Sequence, residues 1–306
     1  MKKRKEEFYA SRKMKKSKGR IIFEVLNVII ITLMIIICLV PILNLFAYSL
    51  SSSQAIIENR VSIIPVDFTL KAYQYVLENK EFWTSVKVTV IRVLLGVPIN
   101  VVLCALVAYP LSKSELAFPA RKHYVRYMLL VMLFNGGMMP TYFVVAKTGL
   151  IDTIWSLVLP NAVVVTNCIL MLNFFRGIPS ELEESAKLDG ANQMQILTQI
   201  YIPLSKPSIA TITLFSLMTH WNNWFDGLIY SNHTSNYPLQ SYLQTLVTLT
   251  TEDLGNDIEL ILKYSNINNT SMKAAQIFIS IIPLMVIYPW LQKYFTKGLT
   301  LGSVKG

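Results

Sequence analysis

Two sets of polar residues in this 306-residue chain have types and spacings that could do chemistry: one between Ile178 and Pro207, the other at Asn135 and Trp221 to Asn223. In the first, Ser180 followed by Glu183 has the spacing of a capping box, in which hydroxyl and carboxylate satisfy orphan backbone donors at a helix start. The helix so opened runs to Asp189, and Gly190 supplies the left-handed stop that a residue with a side chain adopts only at a cost. Asn192, with Gln195 at its third position, caps a second short helix that Pro203 ends. Two short helices joined at a glycine predict a compact knob, with Leu182, Ala186, Met194, Leu197 and Ile200 as its apolar contact points. In the second set, indole faces beside amides suit a sugar. Pyranose C–H faces stack on a ring such as Trp221, and hydroxyls pair with amides such as Asn222, Asn223 or, in the interruption Phe134 to Pro140, Asn135. An aromatic belt at a membrane interface and a helix-packing notch account for the same residues.

Bond-making chemistry has little support. His123, His220 and His233 are too scattered for a shared metal site, and neither HExxH nor GxSxG occurs. A GxxxxGK[ST] stretch is also absent, so the chain is expected to bind no nucleotide. Cys38, Cys104 and Cys168 lie in apolar surroundings and read as packing residues.

The elements that position these residues are membrane helices. The chain is 53% hydrophobic and 15% charged, with mean hydropathy +0.45, which excludes an ordinary soluble domain. No Asp, Glu, Lys or Arg occurs in 25–57, 93–112, 127–146, 153–175, 207–225 or 274–292. Each window supplies roughly the 20 residues needed to cross about 30 Å of hydrocarbon, and there the backbone must be helical to satisfy its polar groups. Six transmembrane helices follow, in an all-α membrane protein. The first is expected to break or bend near Pro41, and Lys87 and Arg92 to snorkel toward the outer headgroups.

Orientation follows from the basic residues. With the N-terminus inside, the inner segments 1–20, 111–126, 176–207 and the tail after Gln292 hold ten, four, three and three Lys or Arg, against three, one and one in the outer loops. This places both termini and the knob in the cytoplasm of a multi-pass plasma-membrane protein. The +10 balance is concentrated before the first span, where anionic lipid explains it and nucleic acid need not be invoked. The expected organisation is a basic cytoplasmic N-terminus at 1–20, a six-helix domain at 21–295 and a cytoplasmic tail at 296–306, with the knob at 178–207 and a long external loop at 231–272. Apolar alternation through Leu239 to Leu249 reads as a helix lying on the membrane.

Glu184-Ser185-Ala186, then Asp189-Gly190-Ala191, then Ile200, Ile202-Pro203-Leu204 and Pro207 resemble the EAA loop of ATP-binding-cassette importer permeases. Ser185 and Ile202 depart from the usual alanine and leucine, both by little volume. The tail from Tyr294 to Gly306 is similar to that of maltose-type carbohydrate permeases, and the stretches around Asn135 and Trp221 resemble the branch that handles complex oligosaccharides. The resemblance implies a type I ABC importer permease fold. It makes Glu184, Ser185, Ala186, Asp189, Gly190, Ala191 and Pro203 the residues that couple to an ATPase, and Asn135, Trp221, Asn222 and Asn223 candidates for the substrate path. It also implies partners: a second homologous permease subunit, an ATPase dimer that uses ATP and Mg, an extracellular binding protein docking on 231–269, and an oligosaccharide cargo. No cofactor is expected on this chain itself. A permease for a non-sugar solute is the alternative. An ion-coupled carrier would predict intramembrane charges and an internal repeat, and neither is visible.

Overall fold

The computed structural model describes residues 17–134, 136–248 and 270–303, and among these no strand is present. The helices are α1 (Lys18–Ser49), α2 (Ser53–Ile57), α3 (Lys71–Glu78), α4 (Lys80–Ser112), α5 (Arg121–Leu133), α6 (Met138–Lys147), α7 (Ile154–Val158), α8 (Val165–Arg176), α9 (Ser180–Leu188), α10 (Gln193–Ile196), α11 (Ile202–Leu204), α12 (Lys206–Asn222), α13 (Phe225–Tyr230), α14 (Leu239–Thr248) and α15 (Thr270–Ser303). Three of them, α1, α4 and α15, are long and apolar enough to cross a membrane, and three bent pairs bring the number of candidate spans to six.

The bends sit at the punctuation visible in the sequence. Ahead of α6, Gly137 takes φ +88°, a conformation that favours glycine. Between α7 and α8 the axis turns by 47° after Pro160. No break occurs at Pro41: α1 runs through it from Lys18 to Ser49. Proline in a membrane helix is tolerated where neighbours and local adjustments re-satisfy the freed carbonyl.

The bundle is organised around α4, which packs against α8, α12 and α14, while α15 packs against α1 and α12. On α4 and α8, Asn100 and Asn167 face inward, where they can pair, because an unpaired polar group in hydrocarbon is costly. Asn100 on α4 donates to the Ala162 carbonyl at 3.0 Å and accepts from Asn167 at 3.0 Å. One turn further on, the thiols of Cys104 and Cys168 meet at 3.2 Å, both buried. Lipid is as apolar as leucine, so association here depends on close packing and interhelical hydrogen bonds. Gly96 shows the packing: it lies so close to the His220 imidazole that an added Cβ would overlap the ring. Nearly all of α1, by contrast, is exposed, Ile37 by 69%, which leaves its surface to lipid or another chain.

The two larger of three apolar cores lie at opposite ends. One, at the knob end, joins Ala105, Tyr109, Met171, Phe175, Ile196, Tyr201 and Ile212. The other joins Phe82, Trp221, Leu239, Tyr242, Leu243 and Ala275. Helix α14 forms where the alternation predicted one, but its apolar face is buried on the bundle beside Phe82 and Ala275.

Candidate coupling knob and buried polar clusters

Both helices of the knob are present, with one local rule broken and one kept. The Ser180 to Glu183 capping box does not form: Ser180 is already helical behind Pro179, and its side chain caps nothing. Glu183 instead turns into the protein. Its Oε2 accepts from Lys113 Nζ at 2.6 Å and from the Tyr201 hydroxyl at 2.8 Å, and its Oε1 pairs with Lys187 Nζ at 2.8 Å. Charge-assisted bonds of this length are about twice as strong as neutral ones, which is why they outcompete a cap at a water-exposed helix start. The second box does form: Gln195 N donates to Asn192 Oδ1 at 2.9 Å and Asn192 N to Gln195 Oε1 at 2.8 Å.

Between them, Gly190 at φ +81° closes α9. Ala191 N donates to the Ala186 carbonyl at 2.9 Å and Gly190 N to the Lys187 carbonyl at 3.0 Å, the paired bonds of a Schellman stop. Both alanines then pack on the bundle core. Beyond α10 a wide π-helical turn, Leu197–Tyr201, brings Leu197 and Tyr201 inward. Pro203 does not end this helix, a second correction. The helix continues through α11, and the axis breaks at Ser205, turning 82° into α12.

Lys113 is the centre of the joint. It follows the last residue of α4, and its Nζ lies 3.8 Å from the Tyr109 ring centroid and 4.2 Å from that of Tyr201, a cation–π pair of contacts on top of the ion pair. Tyr109 donates to Gln193 Oε1 at 2.6 Å, so both knob helices are tied to α4. Burial pushes the Glu183 carboxyl up, but the bonds from Lys113, Lys187 and Tyr201 outweigh it and hold its pKa at about 2. Burial likewise draws the Lys113 ammonium down, against the pull of Glu183.

The other face of the knob is open. Glu184, Ser185, Asp189, Gly190 and Pro203 are exposed, while Ala186 and Ala191 are half-buried against the bundle. Of the expected apolar contacts, Leu182 and Met194 point outward and Leu197 and Ile200 pack inward. Leu188, not anticipated, is 90% exposed at the tip.

At the opposite end Arg92 does not snorkel to headgroups, a further correction. It is fully buried and clamps Asp226, with Nη1 3.1 Å from Oδ1 and Nη2 bonded to Oδ2. Its Nε donates to His220 Nδ1 at 3.4 Å and its Nη1 to the Asn223 carbonyl at 3.2 Å. Both charges lie one residue outside the charge-free windows, at edges where a basic residue ordinarily reaches for headgroups. The clamp fixes α13, whose last residue, Tyr230, accepts from Asp152 N at 2.7 Å. Asp152, at φ +63°, in turn accepts through Oδ1 from Asn232 N at 3.0 Å and Asn236 Nδ2 at 2.9 Å.

The substrate-path candidates separate. Trp221 is 6% exposed and donates from Nε1 to the Ser280 carbonyl at 3.3 Å, so it serves the core. Asn223 donates from Nδ2 to Asp226 Oδ2 at 3.0 Å as part of the clamp. Asn222 is exposed, flanked by exposed Trp224 and Phe225, whose rings meet edge to face at 5.4 Å. Asn135 lies outside the described residues, as do positions 249–269 of the external loop and 304–306 of the tail.

The model for the binding-protein-dependent transport system inner membrane component family matches residues 10–225. The chain is 37% identical to the polygalacturonan/rhamnogalacturonan transport system permease protein YtcP of Bacillus subtilis over 89% of its length and 94% of that protein. It is 36% identical to Protein LplC of the same organism, covering 96% and 98%. It superposes with TM-score 0.83 and 34% identity on a chain of a bacterial ABC transporter involved in import of the acidic polysaccharide alginate, covering 92% of this chain and 99% of that one.

Proposed function

Because this chain belongs to the family of binding-protein-dependent transport system inner membrane components, we propose that it is the oligosaccharide-conducting permease subunit of an ATP-driven importer, gripped by an ATPase at its knob. The single observation that carries the coupling role is the two-faced knob. One face is fixed to α4 through Lys113, Glu183 and Tyr201, and the other presents Leu182, Leu188 and Met194 with Glu184 and Asp189. An exposed apolar tip rimmed by acids is a docking surface, and a rigid joint behind it transmits displacement to the helix it is fixed to. The orientation that puts the knob in the cytoplasm rests on the distribution of Lys and Arg.

A sugar cargo is supported by what the relatives are named for, and two of these, a polygalacturonan permease and the alginate importer, make acidic oligosaccharides the first candidates. Asn222, Trp224 and Phe225 supply the exposed amide and ring faces such a cargo requires. A second permease subunit is needed to enclose the path, and the exposed apolar length of α1 offers it a surface. An extracellular binding protein is assigned to the loop after α13. The test is uptake into proteoliposomes holding ATP and Mg inside and loaded binding protein outside. Oligogalacturonide accumulation that requires both supports the reading; accumulation driven by an ion gradient without ATP overturns it.

A further inference from the structure

Close to the knob, where α4 and α5 diverge at the edge of the apolar windows, a cavity of about 310 Å³ opens among Leu106, Pro110, Phe118, Tyr124, Tyr127 and Met128. On the same stripe of α5 as Tyr124 and Met128, at the helix start, sits Arg121, and Arg176 ends the neighbouring α8. Burial first, and after it the charge of Arg121, draws the Arg176 guanidinium down, and among the described residues no carboxylate pairs with either arginine. Glu183, on the adjoining knob, is already held by Lys113 and Lys187. Lys122 and Arg126 add positive charge on α5.

Two like charges at the ends of packed helices, with no carboxylate partner among the described residues and beside an apolar slot at the edge of the hydrocarbon windows, have the chemistry of a phospholipid site. We infer that the slot and the Arg121–Arg176 pair bind one anionic glycerophospholipid, an acyl chain in the cavity and the phosphate between the two guanidinium groups. Arginine suits this role because its planar fork pairs with phosphate oxygens bidentately. A neutral, zwitterionic headgroup would leave the two charges incompletely compensated, so the site discriminates by net charge.

The experiment is native mass spectrometry of the assembled transporter, delipidated and titrated with dioleoylphosphatidylglycerol or dioleoylphosphatidylcholine. Retention of phosphatidylglycerol is expected to exceed that of phosphatidylcholine about tenfold, to fall to the phosphatidylcholine level in Arg121→Gln/Arg176→Gln, and to fall also in Leu106→Trp, which fills the slot from its exposed side. Equal retention of the two lipids, or preference for phosphatidylglycerol that survives the double arginine variant, overturns the site. If excess inorganic phosphate displaces the lipid as readily from wild type as from Leu106→Trp, the arginines form a plain phosphate site and the lipid assignment fails. If Leu106→Trp detaches the second permease subunit and leaves lipid retention unchanged, the slot is a subunit seam and the proposal is wrong.

Discussion

Replacing Lys113 with methionine tests whether the knob is held as a rigid joint. The side chains of Lys113 and Glu183 are each 11% exposed, and their 2.6 Å pair is backed by two aromatic rings. Breaking a fully buried ion pair costs about 3–5 kcal/mol, chiefly because the remaining charge is left uncompensated. Here Glu183 keeps Tyr201 and the half-exposed Lys187, which brings the expected loss to about 2 kcal/mol. That corresponds to roughly a 30-fold rise in the population of the undocked knob. Hydrogen exchange on the assembled transporter reads it directly. Amides of 180–204 should exchange about 30-fold faster, with those of 206–222 unchanged. Protection unchanged within about threefold would refute the anchoring argument.

The same joint has a pH signature. The Glu183 carboxyl falls from 4.5 to about 2 on folding, so its contribution is complete above pH 4.5 and is lost as pH drops from there through about 2. The full effect is worth roughly 3 kcal/mol. Protection of the knob should be flat from pH 7 to 5 and collapse only in stronger acid; loss between pH 6 and 7 would assign the joint to another group.

Three further outcomes follow from the geometry. Arg92→Met, which strands the buried Asp226, should destabilise the subunit by about 3–5 kcal/mol, and Arg92→Met/Asp226→Leu should recover most of it; equal thermal midpoints for the single and double variants would show that the clamp is not a coupled pair. Gly190→Val should cost about 1–2 kcal/mol of knob stability through backbone conformation alone, because no atom lies within 4 Å of the added Cβ; unchanged exchange in 186–195 would contradict it. Gly96→Ala should lower the thermal midpoint by driving a methyl into His220, while Gly19→Ala, in open space, serves as the silent control.

Much of the account was legible in the sequence because it rests on local rules. The charge-free windows mark the spans, Gly190 marks the left-handed stop, and Asn192 with Gln195 marks a cap; each depends only on neighbours a few residues away. What stayed hidden depends on distance along the chain. Lys113 reads as one more basic residue in an inner loop, and nothing local links it to Glu183, 70 positions on. Glu183 was misassigned to a cap because the local spacing fits and the competing partner is remote. Arg92 and Asp226, 134 positions apart, sit at window edges where a basic residue ordinarily reaches for headgroups. Trp221 and Asn223 carry the side chains a sugar site needs, but burial decides their use, and only Asn222 of the helix-end trio is exposed.

Coupling through the knob is tested most directly by ATPase activity of the assembled transporter in lipid, with binding protein empty or loaded with oligogalacturonides, comparing wild type with Gly190→Trp. Stimulation by the loaded binding protein is expected in wild type and its loss in the variant, with the complex still assembled. Full stimulation in Gly190→Trp would contradict coupling through the knob.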